Sequence, residues 1–227
     1  MTELMLDTAN MEELKFGFAT YPISGVTSNP TILKKEGDID VYARLAEIKK
    51  LCGKDKSLHV QVVSTETNAI LEEAHCILDR VGLDTYIKIP ANEAGLTAIK
   101  KLAAEGVNIT ATSIYSTMQG ILAVLAGAKY NAIYYNRMED NNIDPQSVVT
   151  EIRQFINNSG LNTKILAASF KNVSQVVNAL NNGAQSVTVP LSILTSAVGM
   201  ASISKSVDDF KRDFETIHGT GSTMLSI

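Results

Sequence analysis

The sequence predicts a single (β/α)8 barrel, and three observations carry that expectation. Short β-rich runs alternate with helix-patterned stretches from one end of the chain to the other. The 227 residues are 45% hydrophobic, enough for one substantial core. Neither GxGxxG nor a GxxxxGKS-type turn occurs, so the rival doubly wound open sheet lacks its usual phosphate turn. Parallel strands joined by helical crossovers need both sheet faces covered, and eight such units close into a ring at about 250 residues.

The strands are expected at Leu4 to Asp7, Ile23 to Thr27, His59 to Val63, Tyr86 to Pro90, Val107 to Thr112, Ala132 to Tyr135, Lys164 to Ser169 and Ser186 to Val189. Helix starts are read at Asn10, Asp38, Thr65, Asn92, Ser116, Asp144 and Asn172, whose side chains can accept from the free amides of a first turn. Gly53, Gly82, Gly106, Gly127, Gly160 and Gly183 stand where the helices should end. The barrel is expected to occupy residues 1–203. Residues 204–227 fall outside the repeat: Val207, Phe210, Phe214 and Ile217 recur at helical spacing. That predicts one more amphipathic helix with a polar tail, docking on its own barrel or on a neighbouring subunit.

Composition narrows the partners. A net charge of -4 gives no basic footprint for nucleic acid. No apolar run reaches the roughly 18 residues of a membrane span, and Met1 to Asp7 lacks a basic-then-apolar leader, so a soluble cytoplasmic protein is expected. The two cysteines, Cys52 and Cys76, form no CxxC pair. His75 beside Cys76 has no third ligand in view, so the thiol is read as a helix residue and no metal site is expected.

Catalytic groups in such barrels come from the C-terminal ends of the strands. Asp7, Thr27, Asn29, Gln61, Lys88, Thr112, Tyr134 to Arg137 and Ser169 all fall at or near those ends. Within Tyr86-Ile87-Lys88-Ile89-Pro90, strand alternation gives the isoleucines to the outer apolar layer and turns Lys88 inward. Burial disfavours an ammonium ion, and an uncharged amine attacks ketones to form an imine, which lets an adjacent C–C bond break. An interior lysine paired with a carboxylate such as Asp7 fits the same segment, and both readings stand. Gln, Thr, Tyr and Asn can hold a water and pass protons through it. Arg137 and Ser169 suit a terminal phosphate, although Arg137 could equally pair with Glu139 or Asp140 at the surface.

The segments LDTAN (6–10), GVTSNPTIL (25–33), HVQVVST (59–65), YIKIP (86–90), GLTAIKKLAAEGV (95–107), QGILAVLAGAKY (119–130), YYNR (134–137), KILAASFK (164–171) and VTVPL (187–191) together resemble the transaldolase family over nearly the whole chain. The resemblance implies that Lys88 is the Schiff-base lysine and that Asp7 binds substrate hydroxyls and assists proton transfer. It implies further that Thr27 and Asn29 meet the hydroxyketone end, that Ala132, Arg137 and Ser169 line the substrate, the last two at its phosphate, and that Gln61, Thr112 and Tyr134 hold the catalytic water. Transaldolases carry Glu and Phe where this chain has Gln61 and Tyr134, so the chain is similar to the aldolase branch. Cleavage of fructose 6-phosphate to dihydroxyacetone and glyceraldehyde 3-phosphate is therefore expected, without cofactor or metal because the iminium is the electron sink. Transfer of the three-carbon unit to an aldose phosphate is the alternative, and a non-catalytic sugar-phosphate binding protein is the remote one. A decamer or pentamer is implied. Thr110 and Ser192 depart from the aldolase pattern, which carries an apolar and an acidic residue there.

Overall fold

The computed structural model describes residues 2–226. It divides into two compact units, one running to Leu191 and one from Ser192 onward. In chain order the first unit comprises β1 (Glu3–Asp7), α1 (Met11–Thr20), β2 (Gly25–Thr27), α2 (Pro30–Lys35), α3 (Val41–Cys52), β3 (Ser57–Gln61), α4 (Thr67–Val81), β4 (Tyr86–Pro90), α5 (Glu93–Ala104), β5 (Ile109–Ile114), α6 (Thr117–Leu125), β6 (Tyr130–Tyr134), α7 (Tyr135–Asp140), α8 (Pro145–Ser159), β7 (Lys164–Ala168), α9 (Val173–Asn181) and β8 (Ser186–Val189). Then come α10 (Leu191–Val198), at the junction of the units, and α11 (Ala201–His218) in the second. All eight strands pair in parallel with their sequence neighbours, and β1 pairs with β8 to close the barrel.

Local chemistry accounts for most element ends. Asn10, Asn92, Ser116, Asp144 and Asn172 each accept from a first-turn amide, as expected. The six glycines read as terminators all adopt positive φ, where a Cβ would be strained. Two starts move. Asp40 rather than Asp38 caps α3, accepting from Ala43 N at 3.0 Å, and Glu66 occupies the cap position of α4 without a side-chain bond.

Several strand bounds shift by one or two residues: β1 begins at Glu3, β2 only at Gly25, β3 at Ser57 and β5 at Ile109, and β7 ends at Ala168 before Ser169, whereas three further differences have a visible reason. β3 stops at Gln61 because the Glu73 carboxylate takes the amides of Val63 (2.9 and 3.0 Å) and Ser64 (2.8 Å). β5 does not end at Thr112 but runs to Ile114 through a bulge, with Ser113 at φ 57°. β6 begins at Tyr130 and passes directly into α7, so Tyr135 is helical.

Strand alternation sorts the core. Leu6, Val26, Leu58, Val60, Ile87, Ile89, Ile109, Ile133, Ile165 and Val187 are buried and share the parity that faces the helices. The opposite parity fills the ring with polar and aromatic groups together with the apolar Met5 and Leu166. At its N-terminal end Glu3 accepts from Tyr130 Oη at 2.9 Å, Lys164 Nζ at 2.5 Å and Ser186 Oγ at 2.6 Å. Burial pushes the Glu3 carboxyl up, but these donors outweigh it and its pKa lies below the ordinary value. Above that cluster the rings of His59, Tyr86 and Tyr130 pack together, the first two stacked at 4.5 Å.

Within the second unit, α11 has no buried residue, and Val207, Phe210 and Ile217 are exposed along it. Among the described residues no helix is long and apolar enough to cross a membrane.

Candidate active site

Lys88 projects into the barrel from β4 and is only 4% exposed. Its Nζ donates to the carbonyl oxygen of Ser28 at 2.9 Å. Among the described residues no carboxylate forms an ion pair with it, so the Lys88–Asp7 pair left open by the sequence is absent at ion-pair distance. Ser28 is itself fixed, its amide donating to His59 O at 3.0 Å in the connection that leads from β2 into α2.

Asp7, at the end of β1, accepts from Thr27 Oγ1 at 2.6 Å, and Thr27 Oγ1 also lies 2.7 Å from Thr188 Oγ1 on β8. Burial raises the Asp7 carboxyl above its ordinary pKa, while the charge of Lys88 and the Thr27 hydroxyl pull it partly back. A carboxyl so placed is suited to taking and returning a proton. Asn29 caps α2 by accepting from Ile32 N at 3.0 Å, which commits its oxygen and leaves its amide to donate.

Gln61, Thr112 and Tyr134 are carried by β3, β5 and β6. Thr112 Oγ1 donates to Tyr134 Oη at 3.1 Å. Gln61 is the Cα register partner of Lys88, and its buried Oε1 has no protein partner. A buried acceptor of this kind ordinarily binds water or ligand.

The distal end is carried by β6, β7 and their connections. Arg137 lies over the Tyr134 ring at 4.8 Å, and its Nη1 donates to Tyr115 Oη at 3.4 Å, a contact that raises the guanidinium pKa further. Glu139 and Asp140 bind Gln175 and Asn136 instead, so the surface ion pair considered for Arg137 does not form. Ser169 has φ 64°, an uncommon conformation for a residue with a side chain, and its carbonyl accepts from Asn136 N at 3.1 Å. That bond ties the Arg137 and Ser169 segments together. Ala132 is buried on the inward face of β6, between Tyr130 and Tyr134.

The barrel thus brings Asp7, Thr27, Gln61, Lys88, Thr112 and Tyr134 to one end of its interior, with Arg137 on α7 and Ser169 just beyond β7. Sequence reasoning missed Ser28, Thr188, Tyr115 and His59. Thr188 and His59 have inward strand parity and could have been found by it. Ser28 acts through its backbone, for which residue type gives no signal.

His59 is fully buried, with Nδ1 2.8 Å from Thr110 Oγ1 and Nε2 3.0 Å from Ser57 Oγ. Burial, with a smaller contribution from Lys88, pushes its pKa down to about 3. The imidazole is neutral at physiological pH.

The family model described as "Transaldolase/Fructose-6-phosphate aldolase" matches residues 4–224. A Streptococcus pneumoniae protein named "Probable fructose-6-phosphate aldolase" is 49% identical over 220 residues, covering 97% of this chain and 99% of its own length. Among solved structures, inosine 5'-monophosphate dehydrogenase from Legionella pneumophila superposes with a TM-score of 0.57 at 13% identity, over 84% of this chain and 58% of that one. At that identity the likeness concerns the barrel alone.

Proposed function

The chain belongs to the transaldolase/fructose-6-phosphate aldolase family, and from that premise we propose that it is a class I aldolase interconverting fructose 6-phosphate with dihydroxyacetone and glyceraldehyde 3-phosphate. The observation that carries this reading is Lys88, an interior amine held by a backbone carbonyl and free of a carboxylate partner.

The Lys88 amine, once deprotonated, adds to the C2 carbonyl, and loss of water gives the imine. Its protonated form draws electrons from the neighbouring bond. The C4 hydroxyl loses its proton through a water held by Gln61, Thr112 and Tyr134. As the C4 oxygen becomes a carbonyl, the C3–C4 bond breaks, and its electron pair moves into the iminium to leave an enamine on Lys88. Glyceraldehyde 3-phosphate departs from Arg137 and Ser169, whose guanidinium and hydroxyl suit its phosphate. Protonation of the enamine at C3 and addition of water then return free dihydroxyacetone and the Lys88 amine. Asp7, Thr27 and Asn29 hold the hydroxyketone end. Gln61 and Tyr134 favour the aldolase over the transaldolase because a phenol and a neutral amide hold this water where the transferases have Glu and Phe.

Borohydride added during turnover should leave a three-carbon adduct on Lys88, absent in Lys88→Met. Product analysis should show free dihydroxyacetone without any added aldose phosphate; turnover only with erythrose 4-phosphate identifies a transaldolase instead. Activity should survive excess chelator, since the iminium provides the electron sink.

The same reading makes the protein cytoplasmic and a homo-oligomer, pentamer or decamer. The exposed Val207, Phe210 and Ile217 on α11 support self-association. Sedimentation as a monomer at every concentration would remove that part of the proposal.

A further inference from the structure

Barrel interiors are dominated by branched aliphatic side chains, yet here polar and aromatic groups share the interior with Met5 and Leu166. His59 on β3 and Thr110 on β5 flank β4, and their side chains meet across it at 2.8 Å. The contact passes between Tyr86, on which the imidazole stacks, and Lys88, whose Cα is the register partner of Thr110. Both side chains are fully buried. With its other nitrogen on Ser57 Oγ at 3.0 Å, the imidazole cannot turn from Thr110 without losing two hydrogen bonds and a stack. Among the described residues, Thr110 Oγ1 has no other side-chain partner.

We propose that His59 is a positioning residue that sets donor specificity: by taking the one hydrogen of the Thr110 hydroxyl it withholds that donor from the ketone on Lys88. Position 110 then behaves as an apolar wall despite being threonine. The inference rests on the Lys88 imine proposed above. A released Thr110 hydroxyl would stand beside the carbons that flank C2 of the bound ketone, where it would reward a terminal hydroxyl on the donor.

Two donors that differ by one such hydroxyl, dihydroxyacetone and hydroxyacetone, test this with glyceraldehyde 3-phosphate as acceptor. The readout is the ratio of their kcat/KM values, from which any loosening that slows both donors alike cancels. Thr110→Val should leave the ratio within about twofold of wild type, because its hydroxyl is not offered to substrate. His59→Phe, which keeps an aromatic ring but frees the hydroxyl, should shift the ratio about fivefold toward dihydroxyacetone, the worth of one neutral hydrogen bond. His59→Phe combined with Thr110→Val should return it to the wild-type value. An unmoved ratio in folded His59→Phe, or a change beyond about threefold in Thr110→Val, overturns the proposal. Should His59→Phe fail to fold, Thr110→Val decides alone. Absence of a reducible Lys88 adduct in the wild type would instead remove the imine reading itself.

Discussion

An interior lysine can act as a nucleophile only if nothing nearby holds it permanently as the ammonium ion. Lys88 Nζ donates to the Ser28 carbonyl and not to a carboxylate, which at the same distance would favour the ammonium form. Asp7 is kept to one side by Thr27, whose own oxygen is shared with Thr188. Tyr134 is coupled to Thr112 at 3.1 Å and lies beneath Arg137. Replacing it with Phe removes the phenol and little else. Tyr134→Phe should therefore still form the imine with fructose 6-phosphate but cleave it slowly, with kcat down about 100-fold, the usual worth of one acid–base group. Mass spectrometry after borohydride should then find a six-carbon adduct accumulating on Lys88. An unchanged kcat would exclude the phenol from the proton path.

At the scale of elements, connections decide whether these side chains converge. Gly95 opens α5 against the end of β4, where an added Cβ would lie 1.8 Å from the Pro90 carbonyl oxygen. Backbone cannot yield there as a flexible side chain would, so Gly95→Ala should push α5 off the strand that carries Lys88. A loss of about 2 kcal/mol or more in urea denaturation is expected, within the range for overpacked sites. Glu73 acts on β3 in the same spirit, its carboxylate taking the Val63 and Ser64 amides just beyond Gln61. Glu73→Gln should cost about 1 to 2 kcal/mol of stability and loosen that loop to hydrogen exchange.

The eight βα units were legible in the sequence because caps, glycines and alternation act over a few residues, and Tyr86 to Pro90 and Ser186 to Val189 were bounded correctly. The end of β3 and the bulge in β5 were not. The first depends on a carboxylate ten residues away, and the second puts Ser113 in a conformation that no local residue type announces. Lys88 was legible for the same reason as the strands: it is the charge between two isoleucines. The partner atom on Ser28 is 60 residues distant, and only closure of the barrel brings it near.

For the molecule as a whole, the interior that hosts the amine also fixes how folding responds to acid. Unfolded, His59 takes up a proton near pH 6.5; folded, burial keeps it neutral down to about pH 3. Between those values the unfolded state binds more protons, so the stability His59 permits at neutral pH is lost progressively as pH falls. Asp7 works with the opposite sign, since its carboxyl is raised in the fold and protonates there before it does in the unfolded chain. The two therefore oppose each other in mild acid, and a wild-type curve alone does not separate them. His59→Phe does, because it removes the buried base and leaves Asp7 in place; the other two histidines, His75 and His218, lie at the surface. From pH 6.5 to 5, with protein concentration held constant, wild type should lose on the order of 1.5 kcal/mol of unfolding free energy more than the variant does. Parallel curves for the two proteins would mean that the imidazole takes up its proton in the fold as readily as in the unfolded chain, and so is largely protonated by pH 5. A charged group would then lie beneath Lys88, and the neutral bridge to Thr110 would have to be abandoned.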